Sequence, residues 1–305
     1  MFALQYGYAH MEQVMKPYEA TEIEDRTSAD HPAISATLSF LHSASERPYN
    51  YAYEPPPGTP WENYDVDKRV VDISDARLIS RRTKLDIEGF TLWDAPTALT
   101  DFSNRDDIIL RYYKEVVELA CSATGASRGY VFDHLVRQRH ANRSELDFGR
   151  SVKGAPVSAN GRVHNDYTEE SGRRRLSLVF DQLDQKLPTA RYAIVNVWRS
   201  IKAPVLDTPL AVCDARSVDA ADLINAEVRY PQRTGEIYLV KHGIRQRWFY
   251  FSAMDKHEAL IFKQYDSQVS GVARFTPHAA FDHPNTPADA IPRESIEARC
   301  LVIYD

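Results

Sequence analysis

His164 and Asp166 lie in the run Arg162-Val163-His164-Asn165-Asp166-Tyr167. In an extended segment, side chains two positions apart project to the same side, so an imidazole and a carboxylate converge on one point. A single His-x-Asp arises by chance in many chains. Two histidines and one carboxylate on one face, with other positions left open, form the set that suits ferrous iron binding a co-substrate and dioxygen together. The second histidine must come from a distant segment. His278 is favoured, because it follows the strand-like run Ala273-Arg274-Phe275-Thr276-Pro277. His283 sits in Asp282-His283-Pro284-Asn285, where turn chemistry points to an exposed loop. His134, in Val131-Phe132-Asp133-His134-Leu135, reads as a hydrogen-bonded core histidine. Near the C-terminus, Pro292-Arg293-Glu294-Ser295-Ile296 opens a strand and sets Arg293 and Ser295 on one side of it. A guanidinium fork takes a carboxylate with two bonds and a hydroxyl adds a third, so this pair suits the distal carboxylate of a dicarboxylic acid whose other end chelates the metal. Arg299, on the same side, rivals Arg293 for that role. The plainer reading pairs Arg293 with a surface acid.

These side chains need a scaffold that brings distant segments together. Within 104–125, Ile109, Tyr112, Tyr113, Val116, Val117 and Ala120 recur at helical spacing, with Asn104 as N-cap and Gly125 as the stop. Thr168 caps a second helix over 169–183, with Leu176, Val179, Phe180 and Leu183 on one face. Short β-branched and aromatic segments fall at 129–136, 191–201, 236–240, 247–251, 259–265 and 295–304, as in an antiparallel sandwich or barrel. Earlier strand candidates are 69–75 and 85–92. Residues 1–65 read as an irregular extension rich in Tyr and Pro, since Pro55, Pro56 and Pro57 exclude helix or central strand there. Residues 66–305 form the body. The expected fold is mainly β with flanking helices on its outside.

The balance of 43% hydrophobic and 26% charged residues over 305 positions is that of a globular protein. A net charge of -6 argues against a nucleic-acid partner, which would need clustered Lys and Arg. The run Arg173-Arg174-Arg175 reads as a solvated helix face. No stretch has the roughly 20 apolar residues of a membrane span, and no secretory signal is evident. A cytoplasmic protein without a membrane partner is therefore expected, acting on a small molecule, with a homodimer left open. Cys121, Cys213 and Cys300 are far apart and read as buried thiols.

Taken together, His164-x-Asp166, His278 and Arg293-x-Ser295 look like the iron and co-substrate motifs of 2-oxoglutarate-dependent dioxygenases. Further stretches carry a closer likeness: Val131-Phe132-Asp133-His134, Asn196-Val197-Trp198-Arg199, Trp248-Phe249-Tyr250-Phe251, Phe262-Lys263-Gln264-Tyr265-Asp266-Ser267, Thr276-Pro277-His278 and 292–299. From about Tyr51 onward the chain resembles the AsaB, CmcJ and NvfI type of hydroxylase/desaturase. The resemblance implies a double-stranded β-helix, or jelly-roll, with Fe(II) held by His164, Asp166 and His278. It also implies 2-oxoglutarate held by Arg293 and Ser295, dioxygen as oxidant, ascorbate as reductant in vitro, and a small-molecule, secondary-metabolite substrate. Hydroxylation, desaturation and ring formation share these motifs. Trp198, Trp248, Phe249, Tyr250 and Phe281 are candidates for the substrate wall, because pockets for apolar molecules are lined by such surfaces. Half of them are expected to be ordinary core. Asn196 either touches the co-substrate or satisfies a backbone group. Competing readings are an iron enzyme without 2-oxoglutarate, a zinc hydrolase, and a non-catalytic jelly-roll that binds ligands.

Overall fold

The computed structural model describes residues 15–18, 33–79, 82–140, 144–150 and 156–304. Its strands are β1 (Lys16–Pro17), β2 (Ala33–Ser43), β3 (Tyr49–Tyr51), β4 (Asp65–Asp75), β5 (Phe90–Asp94), β6 (Arg128–Gln138) and β7 (His164–Asn165). They continue with β8 (Tyr192–Ser200), β9 (Leu210–Cys213), β10 (Leu223–Tyr230), β11 (Arg233–Val240), β12 (Trp248–Tyr250), β13 (Glu258–Asp266), β14 (His278–Ala280) and β15 (Glu294–Ile303). One sheet has the order β1-β5-β13-β8-β15-β6, and the other β2-β4-β12-β9-β14-β7-β11-β10-β3. The two face each other as a jelly-roll, a mainly β fold with helices on its flanks.

β15 shows how sequence alternation makes the layers. Ile296, Ala298, Cys300 and Val302 pack outward in one core cluster with Tyr113, Val116, Val117 and Ala120. Arg293, Ser295, Glu297 and Arg299 lie on the opposite parity, toward the space between the sheets. The covering helix starts as α1 (Arg105–Asp107), passes through a π turn at Ile108–Tyr112 and continues as α2 (Tyr113–Thr124). Asn104 accepts from the N–H groups of Asp106 and Asp107, satisfying two donors that the first turn leaves open. Gly125 ends α2 at φ 73°, a left-handed position where a side chain would be strained. No described helix is long and apolar enough to cross a membrane, and the three cysteines are buried and unpaired.

α3 (Glu169–Gln182) begins at Thr168, whose hydroxyl accepts from Ser171 N while the Ser171 hydroxyl accepts from Thr168 N. Gly172 lets this helix lie directly on β13. A Cβ there would stand 2.5 Å from Cγ of Tyr265. Gly172→Ala is therefore expected to destabilise the fold by about 1–3 kcal/mol, as overpacking does, read as a lower urea midpoint at unchanged slope.

The N-terminal part differs from expectation. Residues 33–43, read as irregular, form an eleven-residue strand whose Ala36, Leu38 and Phe40 are buried in a cluster with Trp248, Tyr250 and Phe281. The apolar alternation outweighs the Pro-rich stretch that follows it, because β4 supplies an antiparallel partner along nearly the whole strand. Residues 1–14 and 19–32 of the expected extension, with His10 and His31, lie outside the described residues.

Candidate metal centre

Two short strands bring the distant histidines together. His164 in β7 and His278 in β14 are direct antiparallel partners, which fixes their Cβ atoms about 5 Å apart. Their ring centroids are 4.3 Å apart. Asp166, two residues beyond His164, completes a group whose ligand atoms all lie within 4.8 Å of one another.

Each imidazole is oriented by its own backbone neighbourhood. His164 Nδ1 lies 2.8 Å from Arg162 O, and His278 Nδ1 lies 3.2 Å from Thr276 O. A proton on each Nδ1 directs the other ring nitrogen toward the common centre. His164 Nε2 stands 3.4 Å from Asp166 Oδ1. Burial, with the neighbouring His164, pushes the His278 pKa down to about 3, so its ring is a neutral donor at ordinary pH.

Asp166 is held from its other oxygen. Asn196 Nδ2 donates to Oδ2 at 2.8 Å and Arg299 Nε donates at 2.9 Å, while Asp166 N donates to Gln264 Oε1 at 2.7 Å. Burial would raise its pKa, but Arg299, His164 and His278 hold it well below the usual carboxylate range. Two neutral-capable imidazoles and an ionised carboxylate, all preoriented, fit a ferrous ion with open positions.

Asn165, between the two proposed ligands, is fully buried. Its Nδ2 donates to Tyr167 O (2.7 Å) and Gln264 O (2.9 Å), and its Oδ1 accepts from Thr276 N (3.0 Å). It thus ties the His164–Asp166 segment to the run leading into His278. Asn165→Ala is expected to cost on the order of 3 kcal/mol, because it strands several buried polar groups. A thermal melt would show the loss, and metal affinity should fall with it.

The candidates near the C-terminus separate. Arg299 is committed to three carboxylates, through Asp166, Asp133 Oδ2 at 3.3 Å and Glu297 Oε1 at 2.8 Å. Burial works against its charge, but those acids hold its pKa well above the ordinary guanidinium value. Arg293 is buried and donates from NH1 to Thr208 O at 2.8 Å, while its Nε has no hydrogen-bond partner. Burial, reinforced by Arg137, lowers its pKa to about 10. It lines a cavity of about 20 Å³ with His164, His278, Trp198, Arg137 and Glu297. A buried guanidinium edge without an acceptor, beside both histidines, has the chemistry of an anion seat. Ser295 is buried on the same strand face but does not line that cavity.

Trp198 lies at the site, with the Arg293 guanidinium 5.6 Å from its ring. Trp248, Tyr250 and Phe281 do not. Trp248 is paired with Cys213, and all three aromatics pack with Cys213, Phe40 and Ala279 in the cluster that β2 covers. Their strands present them to the sheet's other face, so they correct the expectation of a substrate wall. Phe249, of opposite parity, packs in the cluster of Trp198, Val212 and Phe262. His134 is a core histidine, its Nδ1 2.8 Å from the Tyr113 hydroxyl. His283 lies by Tyr250 and Phe281. Asn160, Arg137 and Glu297, absent from the sequence-based set, line the small cavity, and Asn160 Nδ2 is 3.3 Å from His164 Nε2. Asn160's place in a Gly-containing turn just before His164 was the available signal.

A family model described as an oxidoreductase/YMDC permease-like domain matches residues 38–303. The hydroxylase/desaturase efuI of Hormonema carpetanum is 30% identical over 290 residues, covering 90% of this chain and 96% of its own length. The hydroxylase/desaturase asaB of Aspergillus flavus is 43% identical over 203 residues, covering 62% of this chain and 88% of its own. A solved structure of the iron and alpha-ketoglutarate-dependent endoperoxidase NvfI superposes with a TM-score of 0.75 at 28% identity, covering 89% of this chain and 98% of that one. With this coverage, and with a histidine–aspartate–histidine cluster between facing sheets, the chain belongs to the family of the fungal hydroxylase/desaturases.

Proposed function

We propose that the protein is an Fe(II)/2-oxoglutarate-dependent dioxygenase that oxidises a small-molecule intermediate of secondary metabolism by hydroxylation, desaturation or oxidative ring formation. The observation that carries this reading is the meeting of His164, Asp166 and His278, each held by a partner that leaves a ligand atom toward the centre. Bound there, ferrous iron supplies the redox chemistry by which 2-oxoglutarate and dioxygen oxidise a C–H bond, the co-substrate leaving as succinate and carbon dioxide. The chain's part is positioning. His278 presents a neutral nitrogen, His164 is oriented by Arg162 O, and Asn196 and Arg299 fix the Asp166 carboxylate. Arg293 takes the far carboxylate of 2-oxoglutarate, with Ser295 next on its strand face. The cavity at Arg293 is water-sized, so admission of the co-substrate displaces side chains, and the lightly tethered Arg293 is the one to turn. Phe262, whose ring centroid is 4.7 Å from that of His278, shields this ligand from water.

The same reading makes the protein a cytoplasmic enzyme without a nucleic-acid or membrane partner, in keeping with its net charge of -6. Its oligomeric state, a homodimer included, is open to sedimentation. Succinate release on adding Fe(II), 2-oxoglutarate and ascorbate tests the activity without a known substrate. Succinate that depends on all three supports it, and a protein that binds no divalent metal overturns it.

A further inference from the structure

A cleft of about 370 Å³, lined by Asp166 but not by Arg293, reaches the candidate metal centre. Asp166 and Arg299 line its inner part, and its walls are α3 and the β10–β11 hairpin. Three arginines lie along these walls: Arg174 and Arg175 from the helix and Arg233 from the hairpin. The sequence reading of Arg173-Arg174-Arg175 as a solvated face holds for Arg173, which pairs with Glu169 at 2.7 Å, and for the exposed Arg174, while Arg175 is half-buried. Among the described residues, Arg174, Arg175 and Arg233 form no ion pair. Of the acids that line the cleft, Asp133 and Asp166 share Arg299, itself a lining residue, and Glu236 pairs with Arg47. The α3 and hairpin walls thus carry three guanidiniums without an ion-pair partner among the described residues.

Two of these guanidiniums are held in place. Arg175 lies 4.7 Å from the centroid of Phe132, and its Nε is buried without a hydrogen-bond partner. Arg233 lies 4.0 Å from the centroid of Tyr230. Stacking on a ring fixes the plane of a guanidinium and leaves its edge for an incoming acceptor. The lining also includes the apolar side chains of Val228, Ile237 and Leu178.

We propose that this cleft binds the primary substrate and that the substrate is a small organic acid, its carboxylate held by Arg175 and Arg233 and its apolar body extending toward Asp166. The proposal rests on the function argued above and adds the chemical class of the molecule oxidised. 2-Oxoglutarate is also a carboxylate, and the assignment sends it to Arg293, which lines the separate small cavity at His164 and His278.

The test uses the full chain with Fe(II) under argon and two probes of matched shape, 2-naphthoate and its methyl ester, with binding measured by calorimetry. The acid is expected to bind at least tenfold more tightly than the ester, and that preference is expected to vanish in Arg175→Gln/Arg233→Gln while 2-oxoglutarate affinity stays within twofold. The lysine pair Arg175→Lys/Arg233→Lys is expected to restore part of it. Equal affinity for acid and ester in the wild type, or no binding of either, overturns the proposal whether or not the variants fold. So does a parallel loss of 2-oxoglutarate affinity in the glutamine pair, which would place the co-substrate in this cleft. A wild type that takes up no 2-oxoglutarate contradicts the proposed function instead, and the acid–ester comparison still decides the chemistry of the cleft.

Discussion

His278→Ala is expected to lower ferrous-ion affinity by more than about 100-fold and to reduce succinate formation below about 1% of wild type. Loss of an outer partner of a metal ligand already costs roughly 10–100-fold in affinity or activity, and loss of the ligand itself removes a bond to the ion. The fold should survive, because His278 pairs through its backbone with β7 and β9 and those bonds are untouched. Circular dichroism should match the wild type while anaerobic iron titration shows weak uptake. His134→Ala is the matched control. That side chain is bonded to the Tyr113 hydroxyl on the other face of its sheet, so iron affinity should stay within about twofold.

Arg293→Gln is expected to raise the dissociation constant for 2-oxoglutarate by roughly 100-fold, with iron affinity nearly unchanged, since truncating one partner of a buried charge pair costs 2–5 kcal/mol. Arg299→Gln should behave differently. It leaves Asp166, Asp133 and Glu297 crowded without their shared cation, so lower stability and weaker iron binding come first. Calorimetry of both variants with iron and with 2-oxoglutarate separates the two arginines, which lie on one face of the same strand and look alike in sequence.

What could be read in the sequence follows from how local each signal is. Asn104 with Gly125, and Thr168 with the apolar spacing behind it, mark helix ends through contacts within a few residues, and the helices follow those marks. His164 and Asp166 share a side through strand parity alone. Parity cannot say which side faces the partner sheet, and that depends on pairing. Trp248 is set opposite Cys213 and therefore faces β2, while its neighbour Phe249 faces Trp198. Asn165 was unreadable for a related reason. Its bonds reach Gln264 and Thr276, about a hundred positions away, and nothing nearby in the chain announces them. The α3 arginines show the same limit from the other side, since Arg175 is half-buried on Phe132, a ring more than forty positions earlier in the chain, and lines a cleft with a hairpin some fifty residues later.

The most direct test of the central claim is an anaerobic titration of the metal-free chain with Fe(II), followed by 2-oxoglutarate, monitored in the visible range. About one ferrous ion per chain and a charge-transfer band that grows only with 2-oxoglutarate are expected, both abolished in Asp166→Ala. A band that persists in Asp166→Ala, or iron bound equally well without that carboxylate, would contradict the account.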